Sequence, residues 1–292
     1  MDTKLVRHYI IILLFLLNIS LFIFNLTNND RYVVNSNQIS IMNSYLQKNN
    51  ISLNLNTELN KNFSPMPKIT MKKTIYNHQD LLKIFFQDEI NSNSLSVDDI
   101  EFTNDFMYNQ KSVVITTNNL FFQNLNQKSS FEYSQESCLK IANYYSTLLS
   151  KQYGSLNLDL SFQRSDYYLF LYTQSDNKFK NFSNNLYIKV YAEGQVELHF
   201  SNYDKLEISS QNIDIYSIFE VLYIFSKEVP QLMDGEEIII EHIDLGYYLK
   251  DKSENISLNF EPCYRIFTSN SEIPFFINAY TNTFEYDINF II

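Results

Sequence analysis

Apolar positions in this chain change their spacing as the sequence proceeds. From Tyr9 to Thr27 they are nearly continuous, an uncharged run of Ile, Leu and Phe interrupted by Asn18, Ser20 and Asn25. As an α-helix this run measures about 28 Å, roughly one bilayer core. Lys4 and Arg7 precede it, and Asp30 and Arg31 follow. That basic flank predicts a cytoplasmic N-terminus over residues 1–8 and an extracytoplasmic body beyond the run. A cleaved signal peptide has a shorter apolar core and ends at small residues of the Ala-x-Ala kind. Here the exit is Phe24–Asn29, without such a site. The expectation is an uncleaved transmembrane anchor over residues 9–27, single-pass in the cell membrane.

Residues 28–73 are polar and Asn-rich and are broken by Pro65 and Pro67. They predict a stalk with a short helix at Ile39–Leu46 and strand-like alternation from Ile51. Beyond Lys73 the pattern repeats. Ile215–Val229 has helical apolar spacing and is expected to stop at Pro230. Three strand-like runs follow, Glu237–Leu249, Ile256–Thr268 and Pro274–Tyr286. An earlier unit has the same order. A helix over Ser134–Gln152 is marked by a Ser-Gln-Glu start signal and ends before Gly154. Strands follow at Ser155–Thr173, Asn185–Tyr191 and Gln195–Phe200, with Ala192–Gly194 as a tight turn. A shorter copy runs from His78–Ile90 through Ile100–Tyr108 to Ser112–Phe122. Asn177–Asn185 reads as a polar loop and Ser201–Asp214 as a linker. The predicted fold class is therefore α+β: an N-terminal transmembrane helix, then tandem units of one helix and a three-stranded antiparallel sheet. The extracytoplasmic domains are expected over residues 74–205 and 206–292.

Composition supports a packed body, with 45% hydrophobic and 16% aromatic residues, all of the aromatics Tyr or Phe. The net charge is −11. This sign disfavours nucleic acid, anionic lipid and anionic wall polymer as main ligands. With only four glycines, a phosphate-cradling loop is excluded. Cys138 and Cys263 are the only cysteines, too few for a disulfide framework, and are read as two buried thiols.

No arrangement of residues predicts catalysis. None of His8, His78, His199 and His242 has a second His three or four residues away, as a zinc helix requires. Glu241-His242-Ile243-Asp244 is the best ligand cluster, because alternation puts His242 and Asp244 on one face. A solvated polar face explains it more simply than a shared cation. Asp98-Asp99 and Glu236-Glu237 are adjacent carboxylates beside turns, whereas acid/base work needs two carboxyls converging on a substrate. The aromatic run Tyr167–Tyr172 reads as core and edge packing. No catalytic residue, cofactor or metal is expected. The sharper signal is in the apolar run, where Leu14, Asn18, Leu21 and Asn25 share a helical face. Amides in hydrocarbon find partners on another helix, so this face is the expected partner-binding site.

Taken together, these segments resemble the YycI (WalI) family. The resemblance rests on Met1-Asp2 with the basic residues after it and on Leu16-Leu17-Asn18. It rests further on Ile243–Tyr248 with its Gly-Tyr pair, on Phe260–Ile266 with Pro262 and Arg265, and on Phe275–Thr281 with Asn278-Ala279. The family usually has Trp where Tyr264 stands and Gly where Asn282 stands. The closing pattern is also similar to PepSY-type modules. The YycI resemblance implies a non-enzymatic regulator in a low-GC Gram-positive bacterium. With a YycH-like protein, such a regulator would bind a WalK-type sensor histidine kinase of a two-component system and adjust its control of cell-wall genes. The PepSY likeness implies the alternative, an exported inhibitor or binding module for a cell-envelope hydrolase. An envelope enzyme is the third class, and the lack of a site argues against it.

Overall fold

A computed structural model describes residues 9–21, 36–54, 64–91, 105–116, 119–127, 130–176, 179–232, 236–249, 257–271 and 273–285. Residues 9–21 form α1. The other helices are α2 (Ser36–Lys48), α3 (His78–Phe85), α4 (Gln87–Asn91), α5 (Gln135–Tyr153) and α6 (Ile218–Leu232). The strands begin with β1 (Ile51–Leu53), β2 (Met66–Lys73), β3 (Asp105–Tyr108), β4 (Lys111–Ile115) and β5 (Asn119–Asn124). Next come β6 (Asn157–Gln163), β7 (Tyr167–Asp176), β8 (Phe179–Tyr191), β9 (Val196–Ser201) and β10 (Tyr203–Ile213). Last are β11 (Ile238–Leu249), β12 (Ser257–Thr268), β13 (Phe275–Asn278) and β14 (Phe284–Glu285).

The chain forms two compact units. One gathers residues 1–66, 212–244 and 263–292, the other residues 67–211 and 245–262. In the second unit β3, β4, β5, β9, β8, β7 and β6 pair antiparallel in that order. α3 and α5 cover one face of this sheet. Cys138, Ala142, Tyr145, Ser146 and Leu149 line one side of α5, the spacing of a buried helical stripe. They meet sheet residues such as Leu120, Phe122, Ile188 and Phe200. Ser134 caps α5, its Oγ accepting from the Ser137 N–H at 3.2 Å. Gly154 ends the helix at φ +100°, where a Cβ would be strained.

The first unit packs α2 beside α6, with the Tyr45 and Tyr223 rings 5.4 Å apart. α6 buries Ile218, Val221, Leu222, Phe225 and Val229. Complete burial of a side chain such as Phe225 is worth roughly 1.5–3 kcal/mol. β1 runs parallel to the start of β11, while β13 pairs antiparallel with both the end of β12 and β14.

Several expectations need correction. Hydrogen bonding links the fourteen described strands into one sheet rather than separate three-stranded units. Among its described ladders, those of β1 with β11 and of β11 with β8 are parallel. β8, β11 and β12 outrun a shorter strand on one side, and a second strand takes over there, so each changes partner along its length. β8 pairs with β9 over Asn185–Val190 and with β11 at Lys180–Asn181. β12 pairs with β2 over Ser257–Phe260 and with β13 over Cys263–Ile266. Pro262, which has no N–H to donate, stands at that change of partner.

The transmembrane helix is the second correction. Among the described residues no helix is long and apolar enough to cross a membrane. The described residues of α1, 9–21, span about 20 Å, against roughly 30 Å for a bilayer core. Residues 22–27 of the expected anchor lie outside the described residues. Of the expected stalk, α2, β1 and β2 take regular structure and pair or pack within the units.

Smaller differences have local causes. Ser155–Thr173 is a hairpin, not one strand, closed where the Arg164 N–H donates to the Tyr167 carbonyl. The expected loop Asn177–Asn185 lies largely in β8, and the linker Ser201–Asp214 is mostly β10. α6 continues past Pro230 to Leu232. A proline so near the C-terminus removes only one backbone bond, and the neighbouring Lys227 carbonyl accepts from Gln231 Nε2 at 2.9 Å.

Candidate functional site

α1 carries the expected partner face. Every residue from 9 to 21 is exposed, with Leu14 at 51% and Leu21 at 53%. One turn of helix brings Leu14 and Asn18 together, and Asn18 Nδ2 donates to the Leu14 carbonyl at 2.9 Å. Part of the amide's hydrogen-bonding capacity is thus met within its own helix. Asn25 lies outside the described residues. The arrangement is an apolar stripe with one internally bonded amide, able to pack against another helix or an apolar surface.

The Glu241–Asp244 cluster lies on β11, and the partner of Asp244 comes from β12. Arg265 is fully buried and donates through Nε at 3.0 Å and Nη2 at 2.6 Å to the two oxygens of Asp244. His242 does share the Asp244 face, its Nε2 lying 3.5 Å from Oδ2. That nitrogen is buried without a hydrogen-bond partner. With its carboxylate engaged by a bidentate guanidinium, Asp244 acts as a lock between β11 and β12. Among the described residues no group of three or more His, Cys, Asp or Glu could hold a metal ion. Glu236 and Glu237 are exposed, and Asp98 and Asp99 lie outside the described residues. Cys138 and Cys263 are buried thiols not joined in a disulfide, and burial pushes the Cys138 thiol up to about 11. In the Tyr167–Tyr172 run Phe170 and Tyr172 belong to the helix-facing core, so the aromatics pack inward.

The motif residues near the C-terminus hold the fold together. Gly246 lets β11 approach β8. A Cβ there would lie 2.6 Å from the Lys180 carbonyl oxygen and 2.6 Å from Phe182 Cζ. Tyr247 Oη donates to the Pro67 carbonyl at 2.7 Å. Asn278 Oδ1 accepts from the N–H groups of Tyr280 and Thr281, closing the turn between β13 and β14. Tyr264 is buried on β12, and its Oη donates to the Tyr216 carbonyl at 2.9 Å. Burial holds the Tyr264 phenol well above its usual range.

Tyr264→Phe should therefore cost about 0.5–1.5 kcal/mol, since it removes the hydroxyl and keeps the ring. In the wild type, stability should fall as pH rises above about 10, where the unfolded phenol ionises and the buried one stays protonated. Chemical denaturation at pH 7 and pH 11 measures both. A role confined to partner contact would leave the pH 7 midpoint unchanged.

A polar network escaped the sequence reading. At the register shift in β8, Asn181 Oδ1 accepts from the N–H groups of Ser183 and Asn184. Asn184 donates to Gln174 Oε1 at 2.7 Å and to the Tyr203 carbonyl at 2.8 Å, and accepts from the Tyr203 N–H at 2.9 Å. Asn202 bridges Gln174 and Thr74. The only available signal was the density of Asn, which also marks loops.

No family model matches this chain, and no curated protein matches it. Among solved structures it is similar to an uncharacterized protein from Eubacterium rectale ATCC 33656. That likeness has 13% identity and a TM-score of 0.46, covering 82% of this chain and 90% of the other. It is also similar to the Bacillus megaterium YpeB C-terminal domain, with 12% identity and a TM-score of 0.37, covering 73% of this chain and 97% of that domain.

Proposed function

We propose that this chain is a non-enzymatic regulator that works at the cell membrane, its C-terminal body extracytoplasmic, by binding other proteins. The exposure of the whole apolar helix α1 carries this reading. Contiguous apolar surface left uncovered by the folded body marks a site of contact with protein or membrane. The resemblance of Ile243–Tyr248, Phe260–Ile266 and Phe275–Thr281 to the YycI family favours a WalK-type sensor histidine kinase and a YycH-like protein as partners. Its consequence would be adjusted expression of cell-wall genes. The PepSY likeness of the closing segment supports a second reading, binding of a cell-envelope hydrolase.

Co-purification of the full chain with the kinase, from cells making both, tests the first reading. Asn18→Leu keeps bulk and removes the amide. Because Asn18 is already bonded to Leu14, its loss should weaken association only modestly, by about 0.6–2 kcal/mol at most. Asn18→Leu with Asn25→Leu should weaken it further and alter output of the kinase's target genes. Wild-type association and output in the double variant would remove this face from the proposal. Recovery of a wall hydrolase in place of the kinase would favour the second reading.

A further inference from the structure

We draw no further inference here: the strongest candidate, the row of Phe121, His199 and Tyr187 across β5, β9 and β8 on the sheet face turned away from α5, carries none because nothing in the structure shows what covers it.

Discussion

Asp244→Ala should destabilise the protein by about 3–5 kcal/mol, among the largest effects of any single substitution in it. Arg265 is fully buried, and the two oxygens of Asp244 accept from its Nε and Nη2. Removing the carboxylate leaves a guanidinium that cannot shed its proton in an interior that solvates it poorly. The Phe267 ring, 5.1 Å from the guanidinium carbon, offers its face but no compensating charge. Asp244→Asn keeps one acceptor and should fall between wild type and alanine. Asp244→Leu combined with Arg265→Met removes both charges together and should recover most of the loss, because an apolar pair of similar volume is often neutral in such a place. Denaturant midpoints for the four proteins measure this. A double variant no more stable than Asp244→Ala would mean that packing, not charge, holds β11 to β12.

Gly246→Ala is the second large effect, with an opposite cause, since it adds an atom where there is no room. The new Cβ would lie 2.6 Å from the Lys180 carbonyl oxygen and 2.6 Å from Phe182 Cζ. An aromatic ring can turn aside, but a backbone carbonyl in a ladder cannot. Gly246 faces Lys180 in the register, with Tyr247 facing Asn181, so relief means moving the strands apart. Overpacking costs about 1–3 kcal/mol, and the upper end is expected because backbone must shift. Phe182→Ala in the same chain relieves only the ring and should not restore stability. Hydrogen exchange at residues 180–183 and 246–249 should quicken ahead of the rest of the sheet. Unchanged protection there would show that the strands accommodate a methyl group.

These two positions also show what the sequence discloses. Gly246 is visible as a rare glycine inside an apolar run, which signals an irregular strand, but the carbonyl it must clear lies sixty-odd positions earlier in the chain. Arg265 and Asp244 are visible as charges among apolar neighbours, and alternation gives their faces, yet nothing local says that they meet. α5 was legible from Ser134 to Gly154 because capping and helical spacing are local properties. β10 was not. It carries the polar side chains of a loop, and only its pairing with β2 among the described strands marks it as a strand. The Asn-rich stretch before Asn185 failed for a related reason. Asn181 and Asn184 use their amides to satisfy backbone at a register shift, whereas in sequence the same residues signal a turn. At the proposed contact face, the exposed Leu14 and Leu21 could be anticipated from the run of apolar residues. The bond from Asn18 to Leu14 depends on a rotamer.

The interleaving of the two units along the chain has a consequence for biogenesis. β1 and β2 leave the ribosome long before β11 and β12, the strands they pair with, have been made. Early strands must therefore wait with their hydrogen-bonding groups unpaired and residues such as Ile51 and Met71 uncovered, an aggregation-prone intermediate. Contacts this distant in sequence also slow the search for the native state, because a long loop must close before they yield anything. Neither unit can be completed by a single uninterrupted stretch of polypeptide. A nascent chain stopped near residue 211 would lack β11 and β12 altogether, leaving β1 and the far edge of β2 exposed, so assembly waits until β12 has been made.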